Sequence, residues 1–164
     1  MKVETQSTRM ESLIALYDIQ TNYFLRAIEG ISDADAHNRL STKANHVAWL
    51  AGSLVEQRYD MAKQAGTELK HTGSALFENY QGIKDDTIYP KLSEYKKDWE
   101  TISPIFREIL INTTDEQLEA IIDMGSFKMS KYELITFMIY REASIIGQIA
   151  LWRRLLGYDA MKYD

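Results

Sequence analysis

The sequence contains no cysteine, which excludes disulfide bonds, thiolate metal sites and cysteine nucleophiles. It also has only two prolines and eight glycines, so long stretches are free to be helical. It has no uninterrupted run of about 18 apolar residues, the length that a membrane span needs. The first residues, MKVETQSTRMESL, include acidic side chains and no continuous apolar region. We therefore expect no secretory signal, no membrane partner and a cytoplasmic location.

Clusters of basic residues are scarce as well. The chain has 19 Lys and Arg against 24 Asp and Glu, a net charge of −5. Binding to phosphate backbones needs clustered cations, so we expect no nucleic-acid partner. The short pairs Lys96-Lys97 and Arg153-Arg154 are predicted to be solvated. With 45% hydrophobic and 26% charged residues, the sequence is typical of a globular protein and most simply forms one domain over residues 1–164.

Hydrophobic periodicity predicts four long helices. The first runs from about Thr5 to Glu29 and ends at Gly30. The second covers NHVAWLAGSLVEQRYDMAKQAG, with Asn45 as its N-cap and Gly66 as its stop. Between these two helices, SDADAHNRL has the pattern of a short capped turn.

The other two long helices follow a connection over residues 67–90 that shows little periodicity. The third helix begins near Pro90 and carries Pro104 inside its pattern. Ser130 and Glu133 form a capping box that opens the fourth, which ends at Gly157. Four long helices and one long connection predict an all-α fold, a four-helix bundle with a crossover loop between helices two and three.

Polar residues lie in the predicted interior of two of these helices. Facing helices of a bundle build ligand and metal sites in this way. In helix four, steps of four and three residues define a heptad seam, namely Leu134, Met138, Arg141, Ile145, Gln148, Trp152 and Leu155. In helix two, similar steps join His46, Trp49, Ser53, Glu56 and Asp60. The candidate pocket drawn from both helices is His46, Trp49, Ser53, Glu56, Arg141, Glu142, Gln148 and Trp152.

The segments NHVAWLAGSLV and ELITFMIYREASIIGQIALWRRLLG resemble the DinB-like (DinB/YfiT) superfamily of four-helix metalloenzymes. The GQI triplet, Arg154 and Gly157 match the family's fourth-helix pattern. Trp49 and Gly52 match its second-helix pattern. The likeness spans nearly the whole chain in helix order, and it implies the family's four-helix fold with a long loop after the second helix.

In that family, three histidines hold a divalent metal, one from helix two and an H-x-x-x-H pair from helix four. Carried over by position, they fall on Ser53, Arg141 and Ile145. Isoleucine cannot coordinate a metal, and an arginine repels a cation. The resemblance thus implies the fold, while the residues predict no metal and no cofactor. His46, Glu56 and Glu142 remain an alternative metal site.

Arg141 has three alternative interpretations. It forms a structural ion pair with Glu56, Asp60 or another carboxylate, because an unpaired guanidinium inside a bundle is costly. Alternatively, its planar fork anchors an anionic ligand, or the side chain turns out to solvent. Glu142, at the position of the Glu in the family's His-Glu pair, is either a relic of the metal site or a surface residue.

The sequence therefore predicts a metal-free DinB-like protein, either a pseudoenzyme or a binder of a small molecule such as an anion. We assign no catalytic residue. Two alternatives stay open: an enzyme of transferase or hydrolase type with a re-invented polar or metal site, and an interaction module. We also expect a homodimer, which the ten tyrosines would permit.

Overall fold

The computed structural model describes residues 4–164, so residues 1–3 of the N-terminal stretch considered above lie outside it. The described chain is mostly helical, as predicted, with a single two-stranded antiparallel sheet. The elements in order are α1 (Met10–Ile28), α2 (Asp33–Ala36), α3 (Val47–Gln64), two 3₁₀ turns (Ser74–Leu76 and Glu78–Tyr80), α4 (Leu92–Asn112), α5 (Asp115–Glu119), β1 (Ile121–Asp123), β2 (Lys128–Ser130) and α6 (Lys131–Leu155).

Helix α1 begins at Met10, five residues after the predicted start at Thr5. The segment before it does not continue the helix but contacts the start of α5, where the Ser7 hydroxyl donates to Asp115 Oδ1 (2.5 Å). A long-range side-chain contact of this kind leaves no trace in local periodicity. The predicted stop at Gly30 is confirmed, since this residue has a φ of +73° two positions after the helix.

Helix α3 is capped by His46, whereas the predicted cap was Asn45. The His46 Nδ1 accepts the backbone N–H of Trp49 (3.1 Å) and takes the place of a capping oxygen. The capping box of Ser130 and Glu133 at the start of α6 is confirmed. These caps fix the residues at which α3 and α6 begin.

The four long helices close a ring in which α1 contacts α4 and α6, and α3 contacts the same two helices. The centre of the ring is aromatic. Tyr17, Phe24, Tyr95 and Trp99 are all within 1% of complete burial, and the rings of Phe24 and Trp99 lie 4.2 Å apart. Residues 65–91 connect α3 to α4, and the segment DMGSFKMS contributes to the β1–β2 hairpin, where Ile122 pairs with Met129.

The buried face of α6 differs from the predicted heptad seam. Arg141 is half-buried, whereas Gln148 and Leu155 are exposed on the outside of the helix. The seam was misplaced because α6 is apolar on nearly every side, so its period does not select one face. The buried residues are Ile135, Met138, Ile139, Glu142, Ile145, Ile146, Ile149, Trp152 and Arg153.

Arg153 is another correction, because it was expected to be solvated with Arg154 and is 8% exposed. Its guanidinium donates to the carbonyl oxygens of Ala27 (3.1 Å), Glu29 and Asp159 (3.2 Å). It therefore satisfies carbonyl groups at the C-terminal end of α1, which have no partner inside that helix.

Helix α6 is long and apolar enough to cross a membrane by length and composition, with a mean hydropathy of 1.3 in its most apolar window. An uninterrupted apolar run is still missing, since Arg141 and Glu142 lie in every 18-residue window of this helix. Core helices of soluble proteins pass the same test, and 44% of the window is buried against the rest of the chain. One such helix is weak evidence for a membrane span.

Candidate functional site

Arg141 reaches from α6 to α3 and contacts two uncharged side chains. One terminal nitrogen donates to Gln57 Oε1 (2.7 Å) and the other to Ser53 Oγ (2.5 Å). The ion pair predicted with Glu56 or Asp60 is wrong, and no carboxylate of residues 4–164 lies within 4.0 Å of this guanidinium. Burial lowers the pKa of Arg141, and the charge of Glu142 only partly opposes this effect.

Glu142 is the buried carboxylate of the site, 2% exposed, and it pairs with Arg58 of α3. The contact is bidentate: Arg58 Nε donates to Oε1 and Nη2 to Oε2, both at 2.7 Å. Glu142 is therefore neither a surface residue nor a free ligand. Both of its oxygens are already engaged inside the protein.

Arg58 is completely buried, and each of its three guanidinium nitrogens donates a hydrogen bond. The third nitrogen, Nη1, donates to Thr21 Oγ1 (2.9 Å) and Ser103 Oγ (2.7 Å). The guanidinium carbon lies 3.5 Å from the ring centroid of Trp99 and 3.9 Å from that of Tyr17. Together with the Glu142 pair, these aromatic and hydroxyl contacts join α1, α3, α4 and α6 at one point.

Arg58 was not among the residues predicted from the sequence, although a signal for its burial was present. Val47, Leu50, Leu54 and Met61 form the apolar edge of α3, and position 58 continues that edge at helical spacing. A charged residue among apolar neighbours on one helix face predicts a buried partner. On α6, the charged residue within the apolar buried face is Glu142. The prediction had placed it one position away from the seam.

The alternative metal set of His46, Glu56 and Glu142 is not brought together. Glu56 contacts Nε2 of His71, and Glu142 is held by Arg58. His46 caps α3. Burial lowers its pKa to about 4, with the neighbouring His37 and Arg39 adding to the shift, so the ring is neutral at pH 7. Within residues 4–164, no group of three His, Asp or Glu side chains could hold a metal ion.

The other candidate pocket residues separate into three groups. Ser53 contacts Arg141, and Trp49 lies one turn before Ser53 on α3, with a buried Nε1 that has no hydrogen-bond partner. Trp152 is a core residue, 5% exposed. Gln148 faces outward and is not part of the pocket. The remaining polar cluster is therefore Trp49, Ser53, Gln57 and Arg141.

The three positions that correspond to the family's histidines do not fit a divalent cation. The Ser53 hydroxyl accepts from Arg141, so its oxygen is engaged by a positive group. Ile145 is buried among apolar side chains and offers no ligand atom. The guanidinium stands where a cation would have to bind. The charge at this position is therefore positive, held between Ser53 and Gln57.

Two cavities lie away from this cluster. One, of about 230 Å³, is lined mostly by apolar residues of α3, α4 and α6, including Met61, Phe106 and Ile135. The other, of about 240 Å³, lies where α3 begins and is lined by polar side chains that include His37 and His46.

No family model, curated protein or solved structure matches this chain. The residues and their geometry are therefore the grounds for assigning a function.

Proposed function

We propose that this chain is a DinB-like four-helix bundle that binds a small anion through Arg141 in place of a metal. The ring of α1, α4, α3 and α6 supports a bundle, and the connection over residues 65–91 has the place and length of the expected crossover. The family membership rests on the sequence resemblance.

The observation that carries the anion site is the absence of a negative partner for Arg141 in the described chain. Its two hydrogen bonds go to the neutral atoms Ser53 Oγ and Gln57 Oε1. The Nε–H and one N–H on each terminal nitrogen are left over, and a guanidinium fork matches a carboxylate or phosphate. The unpartnered Nε1–H of Trp49, one turn from Ser53, adds a second donor on the same face.

Calorimetric titration of acetate, succinate and inorganic phosphate into the wild type, Arg141→Gln and Arg154→Gln tests this proposal. Arg154 lies on the same helix but is exposed, so its substitution makes the same change of charge outside the site. We expect binding to weaken about tenfold or more in Arg141→Gln, the loss of one charge-assisted contact, and to persist in Arg154→Gln. Equal affinities in all three proteins, or no binding to the wild type, would refute the anion site.

In this proposal the protein is cytoplasmic and does not use the metal chemistry of the DinB-like family. An enzyme with a re-invented catalytic site gains no support from the geometry. The residues that a polar site would need, His46, Glu56 and Arg141, are each engaged with different partners.

A homodimer is the second candidate, and the outward face of α6 favours it. Tyr140 and Leu151 are 68% and 59% exposed, and the small residues Ser144 and Gly147 lie between them. Large residues on both sides of a small centre are self-complementary when two copies pack antiparallel about a two-fold axis. Light scattering should give twice the chain mass for the wild type and a monomer for Leu151→Glu. A monomeric wild type at high concentration would exclude this candidate.

A further inference from the structure

The polar cavity at the start of α3 lies apart from the Arg141 cluster. It is about 240 Å³ in volume and is enclosed by the α2–α3 connection and by residues 83–88 of the crossover segment. His46 precedes Ser53 by seven residues, which is about 10 Å along the helix axis. The cavity is smaller than those that hold drug-sized ligands, so its size suits a small molecule.

His46 supplies a hydrogen-bond donor to this cavity. Its side chain lines the cavity and the residue is only 5% exposed. Because Nδ1 accepts the backbone N–H of Trp49, the hydrogen of the neutral ring must be on Nε2. Nε2 has no hydrogen-bond partner in the described chain, and it is not one of the atoms sealed from solvent. Its N–H is therefore reached from the cavity, where a ligand oxygen can accept it.

Two neighbouring side chains, His37 and Arg39, also line the cavity and contact the surrounding chain. His37 has Asp33 O (2.7 Å) against one ring nitrogen and Tyr89 O (3.0 Å) against the other. Arg39 donates to the carbonyl oxygens of Lys43 and Ala44 and pairs with Asp85, the one acidic residue of the cavity wall. The wall carboxylate is thus neutralised.

Lys84 provides the free charge. Its backbone N–H donates to the Tyr89 hydroxyl (3.1 Å), which fixes the main chain at the cavity, and its ammonium group has no carboxylate partner among residues 4–164. Beside it, Ile83 and Ile88 also line the cavity, and Ile88 is 91% exposed. The wall therefore combines an unpartnered N–H donor, an exposed cation and an apolar edge.

We propose that this cavity binds a small organic oxyanion, a carboxylate or a phosphate monoester. One ligand oxygen accepts from the Nε2–H of His46 and another pairs with the Lys84 ammonium. The apolar part of the ligand lies against Ile83 and Ile88. This site is independent of the anion site proposed at Arg141.

The test is a titration with benzoate, phenyl phosphate and inorganic phosphate, followed by NMR of the ¹⁵N-labelled imidazole rings. His46→Asn is the decisive variant, because the Asn side chain still caps α3 but lacks the Nε2–H. Lys84→Gln removes the exposed charge without touching the core. We expect the His46 Nε2 resonance to shift on binding, and each variant to bind about tenfold more weakly or worse.

The arms of the experiment separate the alternatives. Tighter binding of benzoate or of phenyl phosphate identifies the head group. Equal binding of inorganic and phenyl phosphate would contradict the role of Ile83 and Ile88. Arg141→Gln must leave binding in this cavity unchanged. A failure of the cavity site can therefore be distinguished from a failure of the Arg141 site. No shift of His46 with any probe, or unchanged affinity in both Lys84→Gln and His46→Asn, would overturn the proposal; should His46→Asn fail to fold, Lys84→Gln alone decides.

Discussion

Replacing Glu142 with Gln should destabilise the protein strongly, because it leaves the Arg58 guanidinium charged and without its counter-charge inside the core. Arg58 is fully buried, and both of its contacts with Glu142 are 2.7 Å. Removing one partner of a buried ion pair costs about 3–5 kcal/mol. The amide of Gln keeps one acceptor but directs an N–H group at Arg58, so the remaining contact does not restore the loss.

Removing both charges should cost far less than removing one. In the double variant Arg58→Met, Glu142→Leu, no charge is left unpaired, and such replacements are often close to neutral. The hydroxyl groups that contact Arg58 keep other partners: Ser103 donates to Trp99 O (2.5 Å) and Thr21 donates to Tyr17 O (2.8 Å). We expect the double variant to be within about 2 kcal/mol of the wild type, a strong coupling between the two positions.

Urea unfolding followed by circular dichroism gives the free energy of unfolding for each variant. Asp18→Asn is the matched control, because Asp18 forms a bidentate pair with Arg107 at the surface, where the side chains are 40% and 30% exposed. We expect that control to cost about 1 kcal/mol or less. A loss of stability below about 1 kcal/mol for Glu142→Gln would refute the reasoning. So would a double variant whose loss equals the summed losses of its component variants Arg58→Met and Glu142→Leu.

Two further predictions concern α3. In Gly52→Ala, a Cβ would lie 2.5 Å from the Tyr95 hydroxyl and 2.5 Å from Phe77 Cζ. We therefore expect the free energy of unfolding in urea to fall by about 1–3 kcal/mol. Tyr95→Phe removes an unpartnered buried hydroxyl and should be near neutral. Burial depresses the folded-state pKa of His46 from 6.5 to about 4, so the unfolded chain takes up the proton first as the pH falls. Stability from this group is therefore present above pH 6.5 and is lost towards pH 4, by at most about 3 kcal/mol, and His46→Asn should remove this part of the pH dependence; identical pH profiles would contradict it.

Local signals predicted some of the helix ends. The box at Ser130 and the capped turn in SDADAHNRL, whose cap is Ser32, are confirmed, because each depends on residues three positions apart. The start of α1 was wrong by five residues, since Ser7 is held by Asp115, far away in sequence. Contacts of that range are not encoded in a local pattern.

The buried face of α6 could not be predicted in the same way. Phe137, Tyr140 and Leu151 are exposed, so apolar residues surround the helix and more than one face satisfies the helical period. The predicted seam included Arg141 and left Glu142 outside. Charge pairing across helices would have decided the question, because the apolar edge of α3 contains Arg58 and needs a carboxylate opposite it.

The polar layer between α3 and α6 contains two guanidinium groups and one carboxylate that could neutralise either. Glu142 gives both oxygens to Arg58, so Arg141, the next residue on α6, feels its charge without sharing its hydrogen bonds. One positive charge is therefore left half-buried between Ser53 and Gln57. A divalent metal would add to this excess, whereas a carboxylate or phosphate would remove it. This arrangement therefore favours an anion over a divalent cation beside Arg141.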